Sequence, residues 1–184
     1  GEGGAPLTNN KKLNKKIEKL RNLNFGKINR YNHTELSWNY RFTNIQATLG
    51  LSQLKRIKSI VNRKREIGKI YYNNFKKNKN ILIQPCKLKY ATNIYWVFGI
   101  VLRNKFKNRR TEILKKLLKK NIDTRTFFWP MHKQTIFKKM GLFKGETYPV
   151  AENLAKNGFY LPSGLGLSNK QIEYIIKITN KILS

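Results

Sequence analysis

Acidic residues are scarce in this sequence. Nine Asp and Glu stand against 39 Lys and Arg in 184 residues, for a formal charge of +30. Cysteine is scarcer still. The single Cys86 excludes an internal disulfide and any Cys-x-x-Cys metal site, and a reducing compartment is expected. With only two histidines, His33 and His132, no His/Cys/Asp/Glu cluster has metal-ligand spacing, so no zinc site is expected. No apolar run approaches the roughly 20 residues of a membrane-spanning helix. No charged-then-apolar leader is visible, so no secretory signal is expected. No P-loop and no Gly-x-Ser-x-Gly elbow appears either.

What is present is 40% hydrophobic and 12% aromatic, enough to bury a core and to argue against disorder. The charge points on its face to nucleic acid or an anionic surface. Its make-up points elsewhere: 29 Lys accompany 10 Arg, beside 22 Asn and 19 Ile. Lys, Asn and Ile are the residues of A/T-rich codons. A protein selected to grip phosphate favours Arg, whose planar fork makes paired bonds. Compositional drift is therefore the preferred reading. A basic nucleic-acid-binding module, with clusters at Lys76-Lys77 and Lys115 to Lys120, is the alternative. The first residues are Gly1-Glu2-Gly3-Gly4 with no initiator Met, as in a processed or cut chain.

Leu13, Ile17, Leu20 and Leu23 fall at helical spacing and predict an amphipathic helix with one buried stripe. Residues 24–38 read as a loop. Thr43 or Asn44 caps a second helix, expected to run over residues 44–75, buried in its uncharged first part and basic from Lys55. Strands are expected at 81–84, 94–102 and 122–128. Ile113, Leu114, Leu117 and Leu118 mark a helix between the last two. Pro149 opens a further helix, with Val150, Leu154 and Ala151 facing inward and Gly158 at its end. Ser168 and Gln171 form a capping box ahead of a final helix bearing Ile172, Ile175, Ile176, Ile178 and Ile182. The second half thus suits a small α/β layer, while the first half is helical and has no sheet of its own.

Residues 30–47 are the densest polar-aromatic stretch, ending at a helix N-terminus. Such an end favours an anion, and Asn39 and Arg41 add donors for a phosphate. On the residues alone, loop bracing and helix capping are the preferred roles. Residues 123–132 place Arg125, an aromatic run and His132 at a strand end, and on the residues alone an aromatic core plug with Arg125 at its rim is preferred. Cys86 reads as a small buried hydrophobe. The Gly-rich start reads as a flexible terminus or a tight turn against a ligand.

In order along the chain stand Gly1-Glu2-Gly3-Gly4, Leu20-Arg21-Asn22, Trp38-Asn39-Tyr40-Arg41-Phe42-Thr43-Asn44-Ile45-Gln46-Ala47, Leu49 to Leu54, Tyr95-Trp96, Arg125 to His132, and Tyr160-Leu161-Pro162-Ser163-Gly164-Leu165. This series resembles the DegT-type nucleotide-sugar aminotransferases, most closely their perosamine-synthase branch. Two positions depart from the family pattern: Ser37, where Gly is usual, and Thr126, where Pro often stands. The resemblance implies an aspartate-aminotransferase-like α/β fold and pyridoxal 5'-phosphate as cofactor. Residues 1–60 would be the end of the cofactor-binding large domain. Residues 61–184 would be the small domain, with a mainly antiparallel sheet, joined through the long helix 44–75.

The resemblance further implies amino transfer, from glutamate, to a nucleotide-linked 4-keto-6-deoxysugar in polysaccharide biosynthesis, by a cytoplasmic homodimer with shared active sites. Asn39 and Arg41 would reach the partner's cofactor phosphate, and His33, Arg125 and His132 would line the substrate side. The lysine that holds the cofactor would precede Gly1, leaving this chain alone inactive.

Overall fold

Side-chain caps fix where the helices begin. In the computed structural model, which describes residues 3–85 and 87–184, Asn10 Oδ1 accepts from the backbone N–H of Lys12 (2.9 Å) and Leu13 (3.1 Å) and opens α1, Lys11–Arg21. Thr43 and Gln46 cap each other reciprocally at the start of α2, Asn44–Lys55. The readings of Gly1, Glu2 and Cys86 fall outside the described residues.

The chain divides into two units, Gly1–Ile57 and Lys58–Ser184. The first holds α1, α2 and the loop between them. Its apolar stripe is not buried: Leu13 is exposed, Ile17 and Leu20 are half-buried, and Leu23 lies beyond the helix at positive φ. Nor is the uncharged helix α2 buried. Ile45 is 76% exposed, and Leu49, Leu51 and Leu54 are exposed with it. The single helix expected over 44–75 is two, because the chain leaves α2 at Arg56 and begins α3 at Ile57–Phe75. Arg56 caps α2 by donating its N–H to Gln53 and Leu54 carbonyls.

The second unit is the α/β layer, as expected. Its sheet comprises β1 (Ile81–Ile83), β4 (Phe98–Leu102), β5 (Arg125–Thr126) and β6 (Gly158–Leu161) in the order β1-β4-β6-β5, every neighbour antiparallel. A separate hairpin pairs β2 (Lys87–Leu88) with β3 (Ala91–Thr92). The strand expected over 94–102 starts only at Phe98, because Tyr95 turns to φ 51. The one expected over 122–128 shrinks to two residues.

Alternation along β4 and β6 sorts two faces. Phe98, Ile100, Leu102, Phe159 and Leu161 join a core with Ile67, Tyr71 and Phe75 of α3. Ile113 and Leu117 of α4 (Arg110–Leu118), and Ile172, Ile175 and Ile176 of α7 (Asn169–Ile182), complete it. On the other face Gly99 and Gly158 make room for Phe127, whose ring stacks on Tyr160 at 4.9 Å. A Cβ at Gly99 would stand 2.8 Å from that ring. Two short helices, α5 (Thr135–Lys139) and α6 (Pro149–Asn157), complete the unit. Pro149 opens α6 as expected, but Val150 and Ala151 face solvent, Leu154 is half-buried, and Ala155 and Asn157 are the buried residues.

Candidate functional site

The stretch 38–41 is held in place by backbone bonds to the end of α1. Trp38 N–H donates to Leu20 O (3.1 Å), Tyr40 N–H to Arg21 O (2.9 Å), and Leu23 N–H to Trp38 O (3.1 Å). The backbone is extended there, so side chains alternate. Trp38 and Tyr40 stack on one side with centroids 5.9 Å apart. Asn39 and Arg41 meet on the other, where Arg41 Nε donates to Asn39 Oδ1 at 3.1 Å.

That bond orients both groups. A guanidinium can only donate, so the amide oxygen of Asn39 faces Arg41 and its NH2 turns outward. Together with the terminal nitrogens of Arg41 this makes a set of donors that suits a phosphate dianion. Both residues line a cavity of about 740 Å³ in the first unit, with Gly3, Gly4, Leu20 and Phe42 on its other sides. Gly3 is there for room, since a Cβ would come within 2.5 Å of the Phe42 ring. Thr43 and Gln46 show why the capping reading and the anion reading coexist: the cap uses the N–H groups of Thr43 and Gln46, while Asn39 and Arg41 lie one step before it. The hydroxyl of Ser37 is buried without a hydrogen-bond partner among the described residues, a cost that Gly at this position would avoid.

His33 is exposed in the same unit, 2.7 Å through Nδ1 from Leu23 O. A carbonyl only accepts, so Nδ1 carries a proton, and in the neutral ring Nε2 is then the acceptor. Its ring leans on Phe25 at 5.7 Å, over which Arg30 also lies.

In the second unit Arg125 is exposed on β5, opposite Tyr160. His132 is buried, and its Nε2 donates to Glu152 Oε1 at 2.9 Å. Lys133 Nζ approaches the same oxygen at 3.2 Å, and the Tyr148 N–H donates to it at 3.3 Å. The His132 bond, seconded by the Tyr148 N–H and by Lys133, holds the Glu152 carboxyl down at about 2. Sequence reasoning missed this partner; an acid in the first turn of a Pro-opened helix is the signal that could have found it. The expected plug is Phe127 alone, because Phe128 and Trp129 are exposed.

Glu152 yields a pH prediction. Its folded value lies below the ordinary 4.5, so its contribution is present above about 4.5 and is lost as pH falls toward about 2. Thermal melts at steps across that range should show the gap between the native chain and Glu152→Gln closing as pH falls. A gap that stays constant would refute the pairing.

A family model described as the DegT/DnrJ/EryC1/StrS aminotransferase family matches residues 1–180. The chain is 36% identical over 185 residues to a GDP-perosamine synthase of Escherichia coli O157:H7, a match covering 100% of this chain and 48% of that protein. It is 30% identical over 176 residues to a GDP-perosamine synthase of Vibrio cholerae, covering 95% of this chain and 47% of that protein. Among solved structures it resembles Helicobacter pylori PseC, an aminotransferase involved in the biosynthesis of pseudoaminic acid. The TM-score is 0.84 at 24% identity, over 96% of this chain and 47% of that one. The chain spans about half the length of the relatives it matches, and the match falls on their C-terminal half.

Proposed function

This chain belongs to the DegT/DnrJ/EryC1/StrS aminotransferase family, whose members depend on pyridoxal phosphate, and from that premise we propose that it contributes the C-terminal half of a nucleotide-sugar transaminase. Residues 1–60 are the end of the large domain and residues 61–184 the small domain. The reaction moves an amino group from glutamate to a nucleotide-linked 4-keto-6-deoxysugar. The names of the E. coli and V. cholerae relatives support that acceptor class. The family match also favours this reading over nucleic-acid binding.

Pyridoxal phosphate supplies the electron sink for such a transfer. The protein supplies binding and orientation. Asn39 and Arg41 hold the phosphate, in the family's dimer that of the partner subunit, through charge-assisted bonds. His33 offers Nε2 as an acceptor toward substrate. Arg125 offers a cation to the sugar nucleotide or to the donor's carboxylate. His132, fixed by Glu152, lines the substrate side.

The donor pair of Asn39 and Arg41 carries this reading. Pyridoxamine 5'-phosphate, which cannot react with lysine, is titrated against the chain by tryptophan fluorescence, with pyridoxamine as the control lacking phosphate. Arg41→Ala is expected to weaken the phosphate ligand about ten- to a hundredfold, the range for a lost hydrogen bond to a charged group. Asn39→Ala should cost less. Equal binding of pyridoxamine, or no effect of Arg41→Ala, would overturn the phosphate assignment.

A further inference from the structure

The C-terminal end of α3 and the outer strand β1 enclose an open cavity of about 690 Å³ within the second unit. None of Asn39, Arg41, His33, Arg125 and His132 lines it. Its floor is apolar, with Phe75 and Ile81 buried and Tyr72 half-buried. Its rim carries Lys76, Lys77, Lys79 and Arg103, and no acidic residue is among its lining.

The rim is built rather than merely solvated. Asn78 and Asn80 turn inward and donate through Nδ2 to Leu183 O at 3.4 and 3.0 Å. Asn80 N–H donates to Asn78 Oδ1 at 2.9 Å. Arg103 N–H donates to Asn80 O at 2.7 Å, and Asn104 Nδ2 to Lys79 O at 2.8 Å. With the two asparagines tied down, Lys77 and Lys79 are left exposed between and beyond them. Compositional drift scatters lysines over solvated faces; it does not clamp the backbone beneath them beside an apolar floor.

One edge of β1 pairs with β4, and no strand pairs with the other among the described residues. An outer strand directs alternate backbone N–H and C=O groups away from its sheet. Lysines beside such an edge repel a second basic strand and select an acidic one.

We propose that this cavity docks an acidic, extended polypeptide segment, added along β1 with apolar side chains on the half-buried Tyr72 and the exposed Leu82 and carboxylates at Lys76, Lys79 and Arg103. Polyphosphate or nucleic acid would satisfy the cations alone. It would leave both the apolar floor and the strand edge unused, which is why a polypeptide is the better fit.

The test is fluorescence anisotropy on the 184-residue chain with a labelled synthetic peptide of alternating Glu and Val. The peptide is expected to bind, and to dissociate as salt rises toward about 0.5 M, where screening is short-ranged. Lys76→Glu with Lys79→Glu should weaken it at least about tenfold, a loss of roughly 1.4 kcal/mol. Lys119→Glu with Lys120→Glu, which changes the net charge equally, should leave binding intact. A peptide N-methylated at alternate residues should also lose at least about tenfold, because it cannot pair with a strand edge. Equal losses in the two charge variants, undiminished binding of the N-methylated peptide, or competition by inorganic polyphosphate as strong as the peptide's own would each overturn the proposal. Melting temperatures of both variants establish that they remain folded.

Discussion

Phe98→Ala is expected to remove about 3–5 kcal/mol from the unfolding free energy of the second unit, the usual range for a buried Phe cut to Ala. Phe98 sits on the central strand β4 and is wholly buried. Its ring lies 4.9 Å from Tyr71, 5.8 Å from Tyr95 and 6.2 Å from Phe75, so four aromatic rings share one space between α3 and the sheet. Two of those neighbours cannot move in to refill the hole. Tyr71 is tied by its hydroxyl to Pro162 O at 2.7 Å, and burial pushes that phenol's pKa up. Tyr95 is held against Gly68. A cavity that cannot collapse costs the most. Urea unfolding should therefore show a lower midpoint with an unchanged slope. Phe128→Ala is the contrast: that ring is 74% exposed, and its loss should fall within about 0.5 kcal/mol. Similar losses at the two sites would refute the assignment of the core.

The parts of this fold that were legible in the sequence are those set by local chemistry. Thr43 and Ser168 cap the helices expected of them, and Pro149 opens α6. Ile113 and Leu117 of α4 and Ile172, Ile175 and Ile176 of α7 face the core as their spacing predicts, whereas Leu118, expected with them, is exposed. What failed was set by distant partners. Strand β6 was not foreseen, because Gly158-Phe159-Tyr160-Leu161 has a helix on one side and a proline turn on the other; only its pairing with β4 and β5 makes it a strand. Likewise nothing in residues 44–54 says that Ile45, Leu49 and Leu54 stand exposed in this chain. An apolar pattern states that a face is to be covered, and not by what.

The candidate site was legible in the same partial way. The order of its motifs pointed to the family, and Asn39 and Arg41 do meet. Their pairing follows from period-two alternation once the backbone from Trp38 to Arg41 is docked on the end of α1, a contact between residues some 18 positions apart that no local pattern encodes. His132 shows the opposite case. Its sequence neighbours are aromatic, and the group that fixes it, Glu152, comes from another helix.

Gly68→Ala sets two effects of opposite sign against each other. In a helix interior Ala is favoured over Gly by about 0.8–1 kcal/mol. Gly68 lies within α3 and is buried, and a Cβ there would fall on the ring of Tyr95, closer than any real carbon–carbon contact. The ring has nowhere to retreat: Tyr95 is 3% exposed and stacks on Phe98. Its backbone is already at φ 51, an uncommon conformation for an aromatic residue, so its position is fixed by the packing around it. Overpacking of this kind costs about 1–3 kcal/mol and more where neither side yields. The clash therefore outweighs the propensity, and Gly68→Ala should destabilise the second unit by about 2 kcal/mol or more net. Gly50 isolates the propensity, since it lies within α2 with nothing within 4 Å of its Cβ position. Gly50→Ala should raise the helicity of α2, or leave it unchanged, without lowering the melting temperature. Circular dichroism melts of the two variants decide the matter by sign: a stabilised Gly68→Ala would mean that Tyr95 can leave α3, and the aromatic core that also fixes Phe98 would have to be redrawn.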